Sequence, residues 1–319
     1  MIDFRYHIVS IVSIFLALAV GIVLGAGPLK GELGDTLNKE VAGLRQDKAE
    51  LNNQLEDARA AAEARDSYIA ETNPTVLAGV LQDRRVALVV LPGSDAAVAE
   101  STAATLRSSG AAVVSTTSVS DDWVTADEAT ASSRDTTVTR AAGEAGVDVS
   151  DSGAVAPRDV LLASLLTVPS TDPSAALAPA TAQKALDTLA ADDLIEIDTE
   201  GFGLAELVVV VSGVTTQGDD EARKVAAERW VDLVIAFDDR SSGALVAAEA
   251  TTAGDGVSVI ETVRNDATAS KGVSTVDNAG GAMGQASVVH ALTEQAAGDV
   301  GQYGLAAGAD APYAPLPAS

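Results

Sequence analysis

An uninterrupted apolar segment, Ile8 to Leu24, stands near the start of the chain and contains no charged residue. As a helix it would be roughly 25 Å long, close to the ~30 Å hydrocarbon thickness of a bilayer. The pattern therefore predicts one membrane-spanning helix, with residues 1–27 as the anchor. A cleaved signal peptide is the alternative, but its apolar region is usually shorter and its positive leader stronger than the single Arg5.

Small residues recur at every fourth position of this segment, which places them on one face of a helix. Such a face lets two membrane helices approach closely, so it predicts pairing, although membrane helices are rich in small residues in any case. The residues of this face are Ser13, Ala17, Gly21 and Gly25.

A leucine-rich heptad pattern follows the anchor and predicts a coiled-coil stalk over residues 28–76. Aliphatic residues at the first heptad position with leucine at the fourth favour a parallel two-stranded coil, and a buried lysine such as Lys48 can fix its register. The predicted dimerisation residues are Leu37, Val41, Leu44, Lys48, Leu51 and Leu55. A single amphipathic helix folded against its own domain is the alternative, because the pattern weakens after Leu55. Pro74 should end or kink the helix.

Beyond Pro74 the heptads give way to short β-branched runs that alternate with alanine-rich stretches. This alternation predicts an α/β fold, a mostly parallel, Rossmann-like sheet covered by helices and carrying an insertion. We assign residues 77–305 to this domain and residues 306–319 to a disordered tail rich in alanine and proline.

Apolar runs and turn residues predict the individual elements of this domain. The predicted strands are 86–91, 112–119, 194–197, 207–211, 233–237 and 257–263. The predicted helices are 96–108, 160–168, 176–189, 222–230, 244–253 and 282–297. Residues 121–146 are polar and predict a loop or lid with at most one helix.

The formal net charge is −26, and because Asp3 cancels Arg5, all of it lies beyond the anchor. Such a surface repels nucleic acid and anionic lipid, so neither is an expected partner. A well-solvated surface or a cationic partner accounts for the charge. Arg5 on one side of the anchor faces Lys30 and Lys39 on the other, so the positive-inside count gives no orientation. The absence of cysteine does not decide the compartment.

Candidate catalytic and metal-ligating residues are few. The loop at 91–95 lacks the glycine spacing of dinucleotide-binding and phosphate-binding motifs. Nucleophilic catalysis needs a neighbouring base, and the chain offers only His7, at the membrane edge, and His290, for which a partly buried, satisfied role is expected. Asp238 and Asp239 are predicted at the carboxyl end of a strand, as weak candidates for a hard cation or as a solvated turn. We expect neither enzyme activity nor a resident cofactor.

Two terminal motifs stand out in the sequence. They are Ile2-Asp3-Phe4-Arg5-Tyr6-His7 with Gly21-Ile22-Val23-Leu24-Gly25, and Ser274-Thr275-Val276-Asp277-Asn278 with Gly284-Gln285, Ala291-Leu292 and Gly301-Gln302-Tyr303-Gly304. Together they closely resemble the actinobacterial copper-transport protein B family, whose members are also described as outer-membrane channel proteins. The likeness runs along the whole chain and is strongest at its ends.

The resemblance implies copper handling in a mycobacterial-type envelope. It also implies a second role, because one corynebacterial member works with a membrane partner to promote daughter-cell separation through a peptidoglycan hydrolase. The residues do not favour a channel, since barrel strands alternate apolar and polar residues over about ten positions. We therefore favour a non-enzymatic homodimer that docks a membrane partner and regulates a cell-wall hydrolase. Copper transport or copper binding is the alternative, with Met283, His290 and carboxylates as its remaining ligands.

A partner or ligand site is predicted in the C-terminal motif, close to the start of a helix, where polar side chains cap or bind. Its residues are Asp277, Asn278, Gly284, Gln285, Tyr303 and Gly304. Capping and packing are the alternative roles for this cluster. We expect a single-pass plasma-membrane protein with its C-terminal domain outside the cytoplasm, or else a protein of the outer membrane.

Overall fold

The computed structural model describes residues 4–26, 28–149, 155–198, 201–249 and 256–316, and it describes side chains in these ranges except for 26 and 28–36. The chain folds into two compact units, Met1–Arg65 and Asp66–Ser319.

Helix α1, Phe4–Ala26, contains the predicted membrane span. Among the described residues it is the one helix that is long and apolar enough to cross a bilayer, over Phe4–Gly25. Its large apolar side chains, Phe15 and Leu16 among them, are two-thirds exposed. Because protein does not cover these side chains, lipid is the environment that suits them.

Helix α2, Pro28–Val76, follows α1 and contains the predicted stalk. Proline is accommodated in its last turn, and the helix ends at Val76, close after Pro74. The leucine stripe of its first half is exposed: Leu44 is 67% and Leu51 64% accessible. A long helix with an exposed apolar stripe is unusual for a monomer in water.

Strands and helices alternate through the second unit. The strands are β1 Arg85–Val90, β2 Ala112–Val119, β3 Ile195–Asp198, β4 Leu207–Ser212, β5 Val214–Thr215, β6 Ala244–Ala248, β7 Val257–Ser258, β8 Ser274–Val276 and β9 Gln302–Tyr303. The helices are α3 Ala96–Ser108, α4 Glu128–Ala145, α5 Pro157–Leu166, α6 Pro179–Ala191, α7 Asp220–Arg240, α8 Val259–Asn265, α9 Ala269–Gly272 and α10 Ala282–Ala297. Two 3-10 turns lie at Asp121–Trp123 and Pro173–Ala175.

The main sheet has seven strands in the order β3-β2-β1-β4-β6-β8-β9. Neighbouring strands are parallel except for β3, which runs antiparallel to β2 at one edge. The predicted α/β fold with a mostly parallel sheet is therefore confirmed. Helices α4, α5 and α6 form an insertion between β2 and β3. Strands β5 and β7 form a separate antiparallel pair.

Two hydrophobic cores lie on opposite faces of this sheet. Ala87 and Val89 of β1 face the core that contains residues of α4 to α9, whereas Val86 and Leu88 face the core that contains residues of α3 and α10. Burial on both faces explains why β1 and β4 are continuous apolar runs without alternation.

Several predicted elements are wrong. Residues 233–237, predicted as a strand, continue helix α7, because a short apolar run fits a buried helix as well as a strand. Residues 244–248, predicted as helix, form strand β6. This strand lies between β4 and β8 inside the sheet, where alanine-rich sequence is accepted. Positions 250–253 of the predicted helix lie outside the described residues. Of the predicted strand 257–263, only β7 is extended, since Ser258 caps α8 by accepting from Glu261 N at 3.4 Å.

The predicted loop at 121–146 is mostly helix α4. Asp127 caps its start by accepting from Thr130 N at 2.9 Å, and Gly146 ends it in the left-handed conformation with φ +69. Val138 and Ala141 on its inner face are buried. Because serine and threonine occupy many positions of α4, the sequence pattern did not reveal this narrow apolar face.

The predicted disorder of the tail is wrong for residues 306–316, and 317–319 lie outside the description. Ala311 forms a bridge with Tyr303 of β9, and Gly304 N donates to the Ala311 carbonyl oxygen at 2.9 Å. Ala314 is buried, with its N–H 3.3 Å from Ser287 Oγ. This segment is therefore part of the folded unit.

Candidate functional site

The residues of the C-terminal motif come together at the end of β8, where Asp277 is the central side chain. Asp277 is 1% exposed, and its carboxylate accepts from Leu305 N at 2.7 Å and from Ala306 N at 3.0 Å. Arg264 of α8 lies against the same carboxylate, with Nη1 2.7 Å from Oδ2. Donors from the chain itself thus occupy both carboxylate oxygens.

Arg264 is a central residue of this cluster that the sequence did not single out. Its Nη2 donates to the Tyr303 carbonyl oxygen at 2.7 Å, and its Nε donates to Thr275 Oγ1 at 2.8 Å. The guanidinium group therefore joins α8, β8 and β9. An arginine next to an apolar run is a signal for a buried ion pair, but it does not identify the partner.

Gly304 and Tyr303 fit this cluster for different reasons. Gly304 has φ +132, and a Cβ there would overlap the Asp277 carboxylate, so the position requires glycine. The Tyr303 hydroxyl donates to Glu294 Oε2 at 2.5 Å. Burial and this hydrogen bond raise the pKa of Tyr303.

Asn278, Gly284 and Gln285 hold the loop between β8 and α10. Gln285 Nε2 donates to Ser101 Oγ at 3.1 Å and also to the Ala279 carbonyl oxygen. A Cβ at Gly284 would overlap the Asn278 carbonyl oxygen, so the loop lies directly on the helix. Within the described part of the chain, Asn278 Oδ1 and Gln285 Oε1 are buried and lack a hydrogen-bond partner.

The start of α10 is capped from another helix. The sequence placed Asp277 and Asn278 as capping candidates, but the N-cap residue is Gly281, which has no side chain to cap with. The carboxylate of Asp66 on α2 accepts from Ala282 N at 2.9 Å instead. Asn73 Nδ2 donates to the Ala282 carbonyl oxygen at 2.8 Å. The last turns of α2 are therefore attached to α10.

A cavity of about 420 Å³ lies at this junction of α2, α3 and α10. Its lining includes Asp66, Asn73, Ser101 and Gln285. Asp66 contributes a carboxylate, and Asn73, Ser101 and Gln285 contribute groups that can both donate and accept hydrogen bonds. Because of the Asp66 carboxylate, a basic or hydrogen-bond-donating group of a partner would suit this cavity.

Asp238 and Asp239 lie near the end of helix α7 and not at the end of a strand, so their predicted placement is wrong. Asp238 Oδ1 lies 3.4 Å from Gln295 Nε2, and burial raises the pKa of Asp238 to about 6. Asp239 is exposed. In the ranges that the structure describes, no group of three or more His, Cys, Asp or Glu side chains is arranged to hold a metal ion.

The candidate copper ligands are separated from one another. Met283 and His290 lie on α10 seven positions apart, which corresponds to about 10.5 Å along the helix axis. Side-chain ligands lie within about 2.3 Å of a bound ion, so a shared ion would require both side chains to extend toward each other across two turns of the helix. His290 is buried as expected, but its Nδ1 has no hydrogen-bond partner among the described residues, so it is not fully satisfied. Burial lowers the pKa of His290.

The carboxyl ends of β1 and β4 are the position where doubly wound sheets hold their ligands. In this chain the loops that follow the two strands touch, since a Cβ at Gly213 would overlap the Gly93 carbonyl oxygen. A cavity of about 150 Å³ remains there, lined by residues that include Pro92, Thr216 and Trp230. The contact narrows the crevice in which related folds bind a pyrophosphate.

The predicted pairing residues of both N-terminal helices are accessible. A Cβ added at Gly21 or Gly25 would meet no atom within 4 Å, so this face of α1 is open. Leu37, Val41 and Leu55 are also exposed on α2. Ser13 Oγ donates to the Val9 carbonyl oxygen at 2.8 Å, so its hydroxyl does not project from the helix as a free polar group.

Comparisons with known proteins match nearly the whole chain. A family model described as "Copper transport outer membrane protein, MctB" matches residues 1–314. Proteins named "Copper transporter MctB" from Mycobacterium tuberculosis (strain ATCC 25618 / H37Rv) and from Mycobacterium bovis (strain ATCC BAA-935 / AF2122/97) are each 28% identical to the chain over 321 residues. Each alignment covers 97% of this chain and 98% of the relative.

Proposed function

The chain belongs to the MctB family of copper transport outer membrane proteins, and on this premise we propose that it is a membrane-anchored envelope protein that supports the export of copper. The family match over residues 1–314 is the observation that carries the proposal. That match includes the apolar helix, the long helix and the α/β unit, so it concerns the entire architecture.

Copper is the cargo in this proposal, and the chain assists its passage without a resident metal. Among the described residues no group of three or more His, Cys, Asp or Glu side chains could hold a metal ion, and Met283 and His290 lie two helical turns apart on α10. Copper would therefore be transferred with the help of a partner protein, with carboxylates of the acidic chain as weak contacts. We propose no enzymatic step.

A second copy of the chain is the proposed partner of α2. Leu44 and Leu51 are exposed at the same heptad position, and pairing would remove their apolar surface from water. Glu40 and Arg45 of two chains have the spacing of an interchain ion pair in a parallel coil. The open small-residue face of α1 is compatible with pairing in the same direction.

Docking of a membrane partner that regulates a cell-wall hydrolase is the second candidate function. The cavity at the junction of α2 and α10 favours it, because it contains the Asp66 carboxylate and lies next to the C-terminal motif. A pull-down from crosslinked cells tests this role. Recovery of a division or wall-hydrolysis protein is expected, and its loss when Asp66→Asn removes the carboxylate would link the partner to the cavity. Recovery of neither class of protein would refute it.

Deletion of the gene in the organism that encodes the chain tests the copper proposal. We expect lower tolerance to copper sulfate and more cell-associated copper, measured by mass spectrometry, with both restored by the full-length chain. Tolerance to zinc should not change. An unchanged copper content in the deletion strain would overturn the proposal.

The α/β unit is proposed to lie outside the cytoplasm, with α1 in the plasma membrane; the outer membrane of the family description is the alternative location. Protease treatment of intact cells and of isolated membrane fractions, followed by mass measurement of the protected fragment, distinguishes the two. Protection of the α/β unit in intact spheroplasts would refute the extracytoplasmic placement.

A further inference from the structure

A cavity of about 220 Å³ lies where helix α4 faces the start of helix α5, away from the C-terminal motif. Two arginines, Arg134 of α4 and Arg158 of α5, line it together with Ala156 and Pro157 at the helix start, and the carboxylate of Asp135 belongs to the same lining. The chain has only 20 basic residues against 46 acidic ones, so two arginines on one small cavity are unexpected.

Arg134 is 6% exposed and is held in place by its own chain. Its Nη1 donates to the Trp123 carbonyl oxygen at 3.1 Å, and its Nε lies 2.9 Å from Asp135 Oδ1. Its Nη2 makes no hydrogen bond to any residue that the structure describes. The arginine is therefore fixed, with one donor nitrogen unused.

Arg158 has even fewer partners. Its side chain is 11% exposed, and no described residue accepts a hydrogen bond from it; the buried Nε is without a partner. The nearest counter-charge is Asp159 Oδ1, 3.3 Å from Nε. That oxygen already accepts from Trp123 Nε1 at 2.7 Å. A guanidinium has five N–H donors, and those of Arg158 are unused.

Each arginine of this cavity has an aspartate beside it: Asp135 pairs with Arg134, and Asp159 lies against Arg158. Burial raises the pKa of Asp159 to about 7, so its carboxyl group is only partly ionised at neutral pH. Burial also raises the pKa of Asp232 on α7, whose charge acts on Asp159. Burial lowers the pKa of Arg158; the charge of Asp159 opposes this shift, and the positive charges of Arg134 and Arg229 add to it. Because no described residue accepts a hydrogen bond from the Arg158 guanidinium, an added oxyanion would supply acceptors that Asp159 does not.

We propose that this cavity binds a small oxyanion of the sulfate, phosphate or carboxylate class between Arg134 and Arg158. The start of α5 adds to the attraction, because Ala156 provides no side-chain cap and the helix dipole is positive at this end. The site is independent of the proposed copper function.

Titration of the full-length chain in a neutral detergent tests the site. Sodium sulfate is added at constant ionic strength maintained with chloride, and binding is followed by calorimetry and by the melting temperature. We expect saturable binding that Arg158→Gln weakens at least tenfold. Arg158 makes no hydrogen bond with a described residue but lies against Asp159, so the melting temperature of each variant without sulfate is the reference for its titration.

Arg140→Gln is the matched control, since Arg140 lies on the same helix α4 and pairs with Asp192 at the surface. It removes the same charge and should bind sulfate like the parent chain. Equal affinity of parent and Arg158→Gln, or a melting temperature that follows ionic strength alone, would overturn the proposal. Phosphate and acetate, titrated in the same way, identify the preferred member of the class.

The pH dependence of sulfate affinity provides a second readout. Sulfate keeps its charge between pH 6 and pH 8, whereas Asp159 becomes ionised there and then competes for Arg158. The groups that face Asp159 are Arg158 of α5, Trp123, Arg134 of α4 and Asp232 of α7, and Arg158 is also faced by Asp135 and Arg229. Affinity should therefore fall over this range, and Asp159→Asn should remove most of the fall. The same fall in Asp159→Asn would contradict a site beside this carboxyl group.

Discussion

Arg264 Nη1 lies 2.7 Å from Asp277 Oδ2, and the two side chains are 2% and 1% exposed. The pair connects helix α8 with the end of strand β8, and the same carboxylate also receives two backbone N–H groups of the tail. Most other ion pairs described in the chain have at least one partner with substantial exposure. Asp277 of the C-terminal motif and Arg264, which lies outside that motif, thus hold α8, β8 and the tail together.

Asp277→Asn should lower the free energy of unfolding of the α/β unit by about 3 kcal/mol, because it leaves the buried Arg264 without a counter-charge. Trp123 and Trp230 are the only two tryptophans, and both are buried in this unit, so tryptophan fluorescence during urea unfolding reports the change. Arg84→Gln is the control: its pair with Glu206 is partly exposed, and its loss should cost less than about 1 kcal/mol. Equal losses of unfolding free energy in the two variants would contradict the role of Arg264 and Asp277 as a stabilising buried ion pair.

Gly304→Ala should destabilise the same unit more than Gly298→Ala does. Both glycines have positive φ, +132 and +89, so alanine is strained at either position by about 1 to 2 kcal/mol. Only at Gly304 would the added Cβ also overlap the Asp277 carboxylate, whereas Gly298 faces open space. The difference between the two midpoints of urea unfolding measures the overlap together with the difference in backbone strain at φ +132 and φ +89. Identical midpoints would show that the tail moves away from the added Cβ without a loss of stability.

Leu44→Cys should form a disulfide-linked dimer in membranes under mild oxidation, because equivalent fourth-position residues face each other in a parallel coil. The chain has no cysteine of its own, so one introduced thiol gives an unambiguous product on a non-reducing gel. Gln46→Cys, on the outer side of the same helix, is the matched control and should remain monomeric. Dimer in similar yield from both variants would argue against the heptad register.

The stability of the α/β unit should decrease as the pH rises from about 4 to about 7, through the contribution of Asp159. The pKa of this carboxyl group is raised from 3.8 to about 7 by burial, so the folded state holds a proton in this window that the unfolded chain has released. Each pH unit then costs up to about 1.4 kcal/mol. Asp159→Asn should flatten this part of the profile, measured by urea unfolding at several pH values. A profile as steep as that of the parent would exclude Asp159 as the source.

The order of the elements could be predicted where the hydrophobic period, the helix caps and the turn residues all indicated the same element. The spans of α3, β2 and α10 coincide with those predicted, and Asp95 caps α3 by accepting from Ala97 N at 2.8 Å. Between residues 233 and 263 the local signals failed. There a valine-rich run is helix and an alanine-rich run is strand, because position in the sheet outweighs intrinsic preference.

The members of the C-terminal cluster could be predicted from the sequence, but the side-chain contacts that join them could not. The motif contains Asp277, Tyr303 and Gly304, and the structure does bring them together. The arginine that joins them and the carboxylate that caps α10 come from α8 and α2, and a cap from such a distance leaves no local pattern. Side-chain contacts of this kind depend on how helices pack, which one sequence does not specify.

The segment after Gly304 protects the edge of the sheet from pairing with a strand of another chain. Strand β9 is an edge strand, and an unpaired edge is a template on which another chain can add a strand. Asp310 N donates to the Gln302 carbonyl oxygen at 2.6 Å, and Ala311 bridges to Tyr303, so this segment occupies the outer side of β9. A chain truncated after Leu305 would present that edge to its neighbours and would be prone to form aggregates, so affinity tags belong beyond Ser319 rather than in place of the tail.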